Sequence, residues 1–320
     1  MYTFYLTQNG SLERERNTLV FIGKDFKRYI PVKNVSEIII TSKVSLSSWA
    51  LDYLGKIGII VHLLDEDGYY RSTLIPMNRN ELGSLTVKQA IAYSDDRRAI
   101  IASEMVEGIR YNIIRNLRYY NKEDKLRDSI ERIKGYSISK DNINSILGTE
   151  GNIWSEYYAT FKYIYKGHES FQRKFRPPTD DLNAMISFGN SLLYGSVLTN
   201  LIISGLNPSI SFLHEPSERS FSLALDVADI FKPVIVERLV SQLVNTNVIN
   251  QDDFESRGEG IYLNERGRQK FVSAYRDRME ATVKYGSRYL SYSGLILEEC
   301  YKLRRAIEEN EKYKSFRMWD

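Results

Sequence analysis

Cysteine is nearly missing: Cys300 is the one cysteine in 320 residues. That rules out an intrachain disulfide and any metal site built from paired thiolates. Histidine is scarce as well, with three residues, His62, His168 and His214. No glycine-rich nucleotide-binding loop occurs. Neither sign of charge dominates, since 44 basic residues face 41 acidic ones for a net charge of +3. Global charge therefore does not announce a nucleic-acid partner, and a basic footprint has to be local. No run is expected to approach the length of a membrane span, and the N-terminal MYTFYLTQNGSLERERN lacks the plan of a signal peptide. The expected location is cytoplasmic, with no membrane partner. Internal repeats and low-complexity segments are also lacking.

What is present is ample apolar residue, 42% of the chain, enough for two domains of ordinary size. The expected fold class is α+β: a β-rich, sandwich-like N-terminal domain with one short helix, then a larger all-α domain. Residues 1–77 read as the first domain. β-Branched and aromatic runs at 18–22, 36–40, 57–64 and 69–75 predict strands, and Asp67-Gly68 between the last two is a hairpin signal. Ser45-Leu46-Ser47-Ser48 ahead of Trp49, Leu51, Tyr53 and Leu54 predicts a capped helix. The linker falls at 78–85, within PMNRNELGSL.

Residues 86–320 read as helical. The 87–120 stretch carries Ile91, Ile101, Met105, Ile109, Ile113 and Leu117 at helical spacing. Its arginines, Arg97, Arg98 and Arg110 among them, read either as a solvated face or as a ridge for DNA phosphates. Trp154, Tyr158, Phe161 and Tyr165 repeat at helical spacing and read as core. Arg173, Lys174 and Arg176 flank Phe175 in an irregular stretch ended by Pro177-Pro178, which suits a flexible nucleic-acid strand or a mobile surface loop. Thr179 is expected to cap a long central helix through Leu182 and Val197, with Gly189 and Gly195 marking close packing. Residues 251–268 are a hairpin or loop, 271–311 a further helix, and the basic tail is expected to be solvated, with DNA or a protein partner as the other reading. Asn183 is expected to make a structural hydrogen bond.

The stretch 206–244 carries the chemistry. His214 lies in a loop, and Asp226 and Asp229, three apart on a helix, share one face. Pro233 cannot donate to the carbonyl of Asp229, so the helix should kink or restart there. An imidazole nitrogen and a carboxylate oxygen beside such an irregularity predict a divalent-metal site. Glu150, between Gly148 and Gly151 and read as lying near a helix N-terminus, is the candidate third ligand. Each residue has a blander reading: a surface histidine, a solvated acidic edge, a favourable charge at a helix start. Glu215, Glu218 and Arg219 read as supporting loop residues. No role is assigned to His62 or His168.

The motifs GTEG at 148–151, DDLNAMISFGNSLLY at 180–194, FLHEP at 212–216 and LALDVADIFKP at 223–233 resemble the Cas1 family of CRISPR-adaptation integrases, in the family's order and spacing. The resemblance runs over nearly the whole chain. It implies that Glu150, His214 and Asp229 hold a catalytic Mg2+ or Mn2+ and that Asp226 serves less directly. It implies transesterification, in which the 3′ hydroxyl of a captured double-stranded DNA fragment attacks a phosphodiester of the CRISPR repeat, with associated endonuclease activity. It further implies a homodimer formed through the N-terminal domain and a dimer of Cas2 bridging two such dimers. A stand-alone metal nuclease for branched or single-stranded nucleic acid would need the same ion. A DNA-binding structural subunit with an unused site is the remaining reading.

Overall fold

The computed structural model describes residues 2–78, 83–165, 167–216 and 221–318. The N-terminal part is a sandwich of two four-stranded sheets. Its strands are β1 (Tyr2–Leu6), β2 (Gly10–Glu15), β3 (Thr18–Ile22), β4 (Lys27–Ile30), β5 (Val35–Ile40), β6 (Val44–Leu46), β7 (Ile60–Leu64) and β8 (Tyr70–Leu74), with helix α1 (Ser48–Ile57) between β6 and β7. One sheet runs β1-β5-β7-β8 and the other β4-β3-β2-β6. Strand alternation explains the burial. Phe4, Leu6, Ile38, Ile40 and Val61 point between the sheets and meet Leu12, Leu19 and Phe21. The opposite face of the first sheet, with Ile39, Ile60 and Leu64, joins the core of the helical part. Ser47 caps α1 by accepting from the Ala50 N–H, and the helix runs on through Ile57. The strand expected from 57 therefore starts at Ile60.

Among the described residues, nine helices and two hairpins build the remainder. The helices are α2 (Gly83–Ser94), α3 (Arg97–Tyr120), α4 (Arg127–Gly135), α5 (Ile143–Ala159), α6 (Phe161–Ile164), α7 (Asp181–Ser204), α8 (Ser222–Asn245), α9 (Glu265–Glu280) and α10 (Tyr292–Glu308). The hairpins are β9 (Phe254–Arg257) with β10 (Gly260–Leu263) and β11 (Thr282–Tyr285) with β12 (Arg288–Ser291). The helical part is thus not purely α. The second hairpin breaks the helix expected over 271–311, because Gly286 takes a positive φ of 60° in a run of β-formers. The 87–120 pattern is likewise split at Asp95-Asp96. Helix α2 begins at Gly83, inside the stretch read as linker; 79–82 lie outside the described residues.

Helix α7 is the buried axis. Asp180, rather than Thr179, caps it by accepting from the Asn183 N–H, and Gly205 closes it in the left-handed region at φ 79°. An 18-residue window of α7 has a mean hydropathy of 1.3, long and apolar enough to cross a membrane, yet 72% of it is buried inside the fold. Gly189 packs α7 closely: a Cβ there would stand 2.7 Å from Cγ1 of Val236 on α8 and 3.0 Å from Phe271 on α9. Gly195 faces the sheet instead, against His62 and Tyr70. His62 is buried between β7 and α7, with Nε2 2.7 Å from Oγ1 of Thr199 and 3.2 Å from Oε2 of Glu37. His168 Nε2 lies 2.8 Å from Oδ1 of Asp181.

Two other expectations need correction. Helix α8 does not restart at Pro233: it runs from Ser222 to Asn245 with the proline inside it, buried together with Phe231 and Val234. The C-terminal tail is ordered against α3 through Met318. Ser315 Oγ donates to the Glu104 carbonyl at 2.7 Å, the Met318 N–H donates to Asn112 Oδ1 at 2.8 Å, and Phe316 stacks on Phe231 at 5.0 Å.

Candidate active site

The loop before α8 is shaped by one carboxylate. Asp226, fully buried, accepts the backbone N–H of Phe212 at 2.8 Å, of Leu213 at 2.9 Å and of His214 at 3.1 Å. The same group lies 2.7 Å from Nδ1 of His214. A carboxylate only accepts, so Nδ1 carries the proton and Nε2 is the nitrogen left for a ligand. The hydrogen bond to Asp226, followed by the charges of Asp226, Asp229 and Glu150, outweighs burial and raises the His214 pKa to about 9.

A second bracket holds the loop from outside. Arg98 Nε donates to the Phe212 carbonyl at 3.1 Å, and its Nη2 reaches Glu215 at 2.6 Å. Tyr93 donates to Glu215 at 2.8 Å and lies under the Arg98 guanidinium. Gln89 ties the loop's start, donating to the carbonyls of Asn207 and Ile210 at 2.8 Å. The arginine read as a DNA ridge residue is therefore occupied in placing His214. Glu218 and Arg219 lie outside the described residues.

Asp229 is 5% exposed, three residues after Asp226 on the same helix. Its Oδ1 is buried without a well-directed hydrogen bond, although the ammonium of Lys232 stands against it as an ion pair. Lys232 Nζ also lies 5.6 Å from the Trp154 ring centroid. Glu150 is in the interior of α5, not near its N-terminus, since the helix starts at Ile143 with Asn142 as cap. Burial, then the charge of Asp229, pushes the Glu150 carboxyl up to about 7, while His214 and Lys232 pull it down. A Cβ added at Gly148 or Gly151 would meet open space, so a ligand can come close to Glu150.

Glu150, His214 and Asp229, far apart in sequence, thus share one electrostatic neighbourhood. Among the described residues no group of three histidine, cysteine, aspartate or glutamate side chains is already closed around an ion position. Glu237, two turns beyond Asp229, was missed by sequence reasoning. It is buried, neither carboxylate oxygen has a hydrogen-bond partner, and burial raises its pKa to about 8 despite Lys232 and Arg173 nearby.

The other basic candidates divide. Arg97 pairs with Asp95 at 2.8 Å and Arg110 with Glu107 at 2.6 Å. Arg173 donates to Asn183 Oδ1 at 2.8 Å and Ser187 Oγ at 3.1 Å, so Asn183 pins the irregular 172–174 segment to α7. Lys174 and Arg176 remain exposed, the latter over the Tyr69 ring at 4.9 Å.

Comparison with known proteins agrees over the full length. The family model "CRISPR associated protein Cas1" matches residues 4–277. The chain is 36% identical to "CRISPR-associated endonuclease Cas1 3" of Thermodesulfovibrio yellowstonii, covering 100% of both. It is 37% identical to "CRISPR-associated endonuclease Cas1" of Fusobacterium nucleatum, covering 99% of this chain and 96% of the relative. A solved Cas1 protein from Thermotoga maritima superposes with a TM-score of 0.87 at 34% identity, over 99% of this chain and 100% of that one. A casposase bound to integration product shares the fold, with a TM-score of 0.85 at 22% identity, over 98% of this chain and 93% of the other. Relatives of this identity and coverage, named as endonucleases, place the molecule among endonucleases. The chain belongs to the Cas1 family of CRISPR-associated proteins.

Proposed function

We propose that this protein is a metal-dependent integrase of CRISPR adaptation, with Glu150, His214 and Asp229 as its cation ligands. Two carboxylates supply hard oxygen donors for Mg2+ or Mn2+, one neutral imidazole adds a nitrogen donor, and the set leaves positions open for phosphate. The observation that carries the reading is the buried Asp229 oxygen without a directed hydrogen bond, in the same field as Glu150 and His214. A cation bound there supplies charge neutralisation for the phosphodiester and the departing oxygen. Asp226 orients the His214 ring. Because His214 and Glu150 hold protons above their ordinary ranges, cation binding releases protons at neutral pH.

The reaction is transesterification: the 3′ hydroxyl of a double-stranded fragment attacks a phosphodiester of the repeat, with endonuclease cleavage at the same site. The solved Cas6-RT-Cas1–Cas2 complexes, which share this fold, support Cas2 as partner, and in the proposed assembly a Cas2 dimer bridges two homodimers. Residues 1–77 are the dimerising unit and the helical part from α2 at Gly83 onward is the catalytic domain, acting in the cytoplasm.

The test supplies repeat-bearing supercoiled plasmid, a duplex with free 3′ ends, Cas2 and Mn2+ or Mg2+. Joined products are expected, and His214→Ala and Asp229→Asn should abolish them while leaving most DNA affinity, which phosphate contacts carry. Cleavage without joining would make the protein a nuclease alone. Joining at the normal rate by His214→Ala overturns the ligand assignment.

A further inference from the structure

Trp154 reads in the sequence as a core aromatic, yet it is only half-buried. It follows Glu150 by one turn of α5, so the two side chains share a face. Against the burial and the Asp229 charge that raise the Glu150 pKa, a hydrogen bond from the Trp154 side chain helps to lower it. The ring is held from behind. Trp154 stacks on Tyr158 at 5.4 Å and 22°, and Tyr158 meets the buried Phe161 edge to face at 5.2 Å. Lys232 reaches both this ring and Asp229. Its ammonium is ion-paired with Asp229 Oδ1 and lies 5.6 Å from the Trp154 centroid, within cation–π range. The Lys232 side chain is only 21% exposed, so its charge is partly desolvated.

A divalent ion and a lysine ammonium compete for the same Asp229 oxygen. For the ion to enter, the ammonium has to leave, and a partly buried charge needs another partner when it does. The other carboxylates that feel Lys232 are Glu150, itself a proposed ligand, and Glu237, which burial holds protonated near neutral pH. An indole face offers the strongest aromatic attraction for a cation, and this one is already within reach. We propose that Trp154 is a positioning residue of the cation site: its ring receives the Lys232 ammonium as a divalent ion takes the Asp229 oxygen. The proposal rests on the reading of Glu150, His214 and Asp229 as cation ligands. Without the ring, Lys232 stays on Asp229 and opposes the ion.

Titration of the full-length protein with Mn2+, the free ion counted by its electron paramagnetic resonance signal, tests it. Trp154→Leu should weaken Mn2+ binding about fivefold or more, the scale of a partly desolvated cation–π contact. Trp154→Phe keeps a ring on Tyr158 and should lose no more than about threefold. Lys232→Met removes the competing ammonium and should bind Mn2+ more tightly than the parent. Adding Trp154→Leu to Lys232→Met should then cost no more than about twofold, a non-additivity that general damage to the fold does not produce. A second readout leaves residue 154 unchanged. An ammonium against an indole quenches its emission, so Mg2+ should dim the tryptophan emission of the parent and leave that of Lys232→Met as it was. Equal loss from Trp154→Leu with and without Lys232, no Mg2+ response in the parent, or a response that survives Lys232→Met overturns the proposal and leaves the cation site standing. Mn2+ bound equally by the parent and by His214→Ala overturns the cation reading, and this inference with it.

Discussion

Nδ1 of His214 stands 2.7 Å from Oδ1 of Asp226, and that single carboxylate also gathers three consecutive backbone N–H groups of the loop that carries the histidine. Asp226 therefore sets the ring orientation and the loop path together. Asp226→Asn keeps the shape but turns an NH2 donor toward groups that already donate. We expect a stability loss of about 2 kcal/mol or more in denaturant unfolding, and a fall in DNA joining of roughly a hundredfold. An unchanged unfolding midpoint would show that the carboxylate is not the loop's anchor.

Arg98 acts on the same loop from the other side, through the Phe212 carbonyl and Glu215. Arg98→Gln should lower the joining rate by about tenfold at saturating DNA and leave the affinity for DNA nearly intact. A phosphate-contacting arginine behaves in the opposite way, weakening DNA binding and flattening its salt dependence. Measuring both the rate and the salt slope distinguishes the two.

Lys232 supplies positive charge beside Asp229 and counters the raised pKa of Glu150. Lys232→Met removes that charge from a partly buried pair. The metal-free protein should lose about 2 kcal/mol. Mn2+ should then restore more than it adds to the unaltered protein, where saturation a hundredfold above Kd is worth about 2.7 kcal/mol. Thermal shift with and without Mn2+ reads this directly; an equal gain in both proteins contradicts it.

Glu237 is buried with its pKa raised to about 8. Its folded form holds a proton that the unfolded chain gives up near pH 4.5, so the folded state binds more protons between those values. Stability from this group is complete below about pH 4.5 and declines as pH rises toward about 8. Glu237→Gln should flatten that decline and make the protein more stable than its parent at alkaline pH. Parallel pH profiles of the melting temperature for the two proteins would refute a buried, protonated Glu237.

Local patterns carried much of the fold into view. Alternating β-branched residues mark the sandwich strands, Ser47 and Gly205 mark helix ends, and Gly189 marks the close approach of α7 to α8 and α9. Short-range reasoning failed where tertiary packing overrode propensity: α8 runs on past Pro233, Glu150 sits inside α5, and the tail to Met318 is held by Glu104 and Asn112.

The residue types of the site, two acids three apart and a loop histidine, are visible along the chain because helical periodicity needs only neighbours. That Asp226 points at His214, that Arg98 braces the loop rather than lying open, and that Glu237 is sealed without a partner are not. Those facts depend on which distant groups are excluded from water together, and the free energy of a buried charge is set by its surroundings in space, not by its neighbours along the chain.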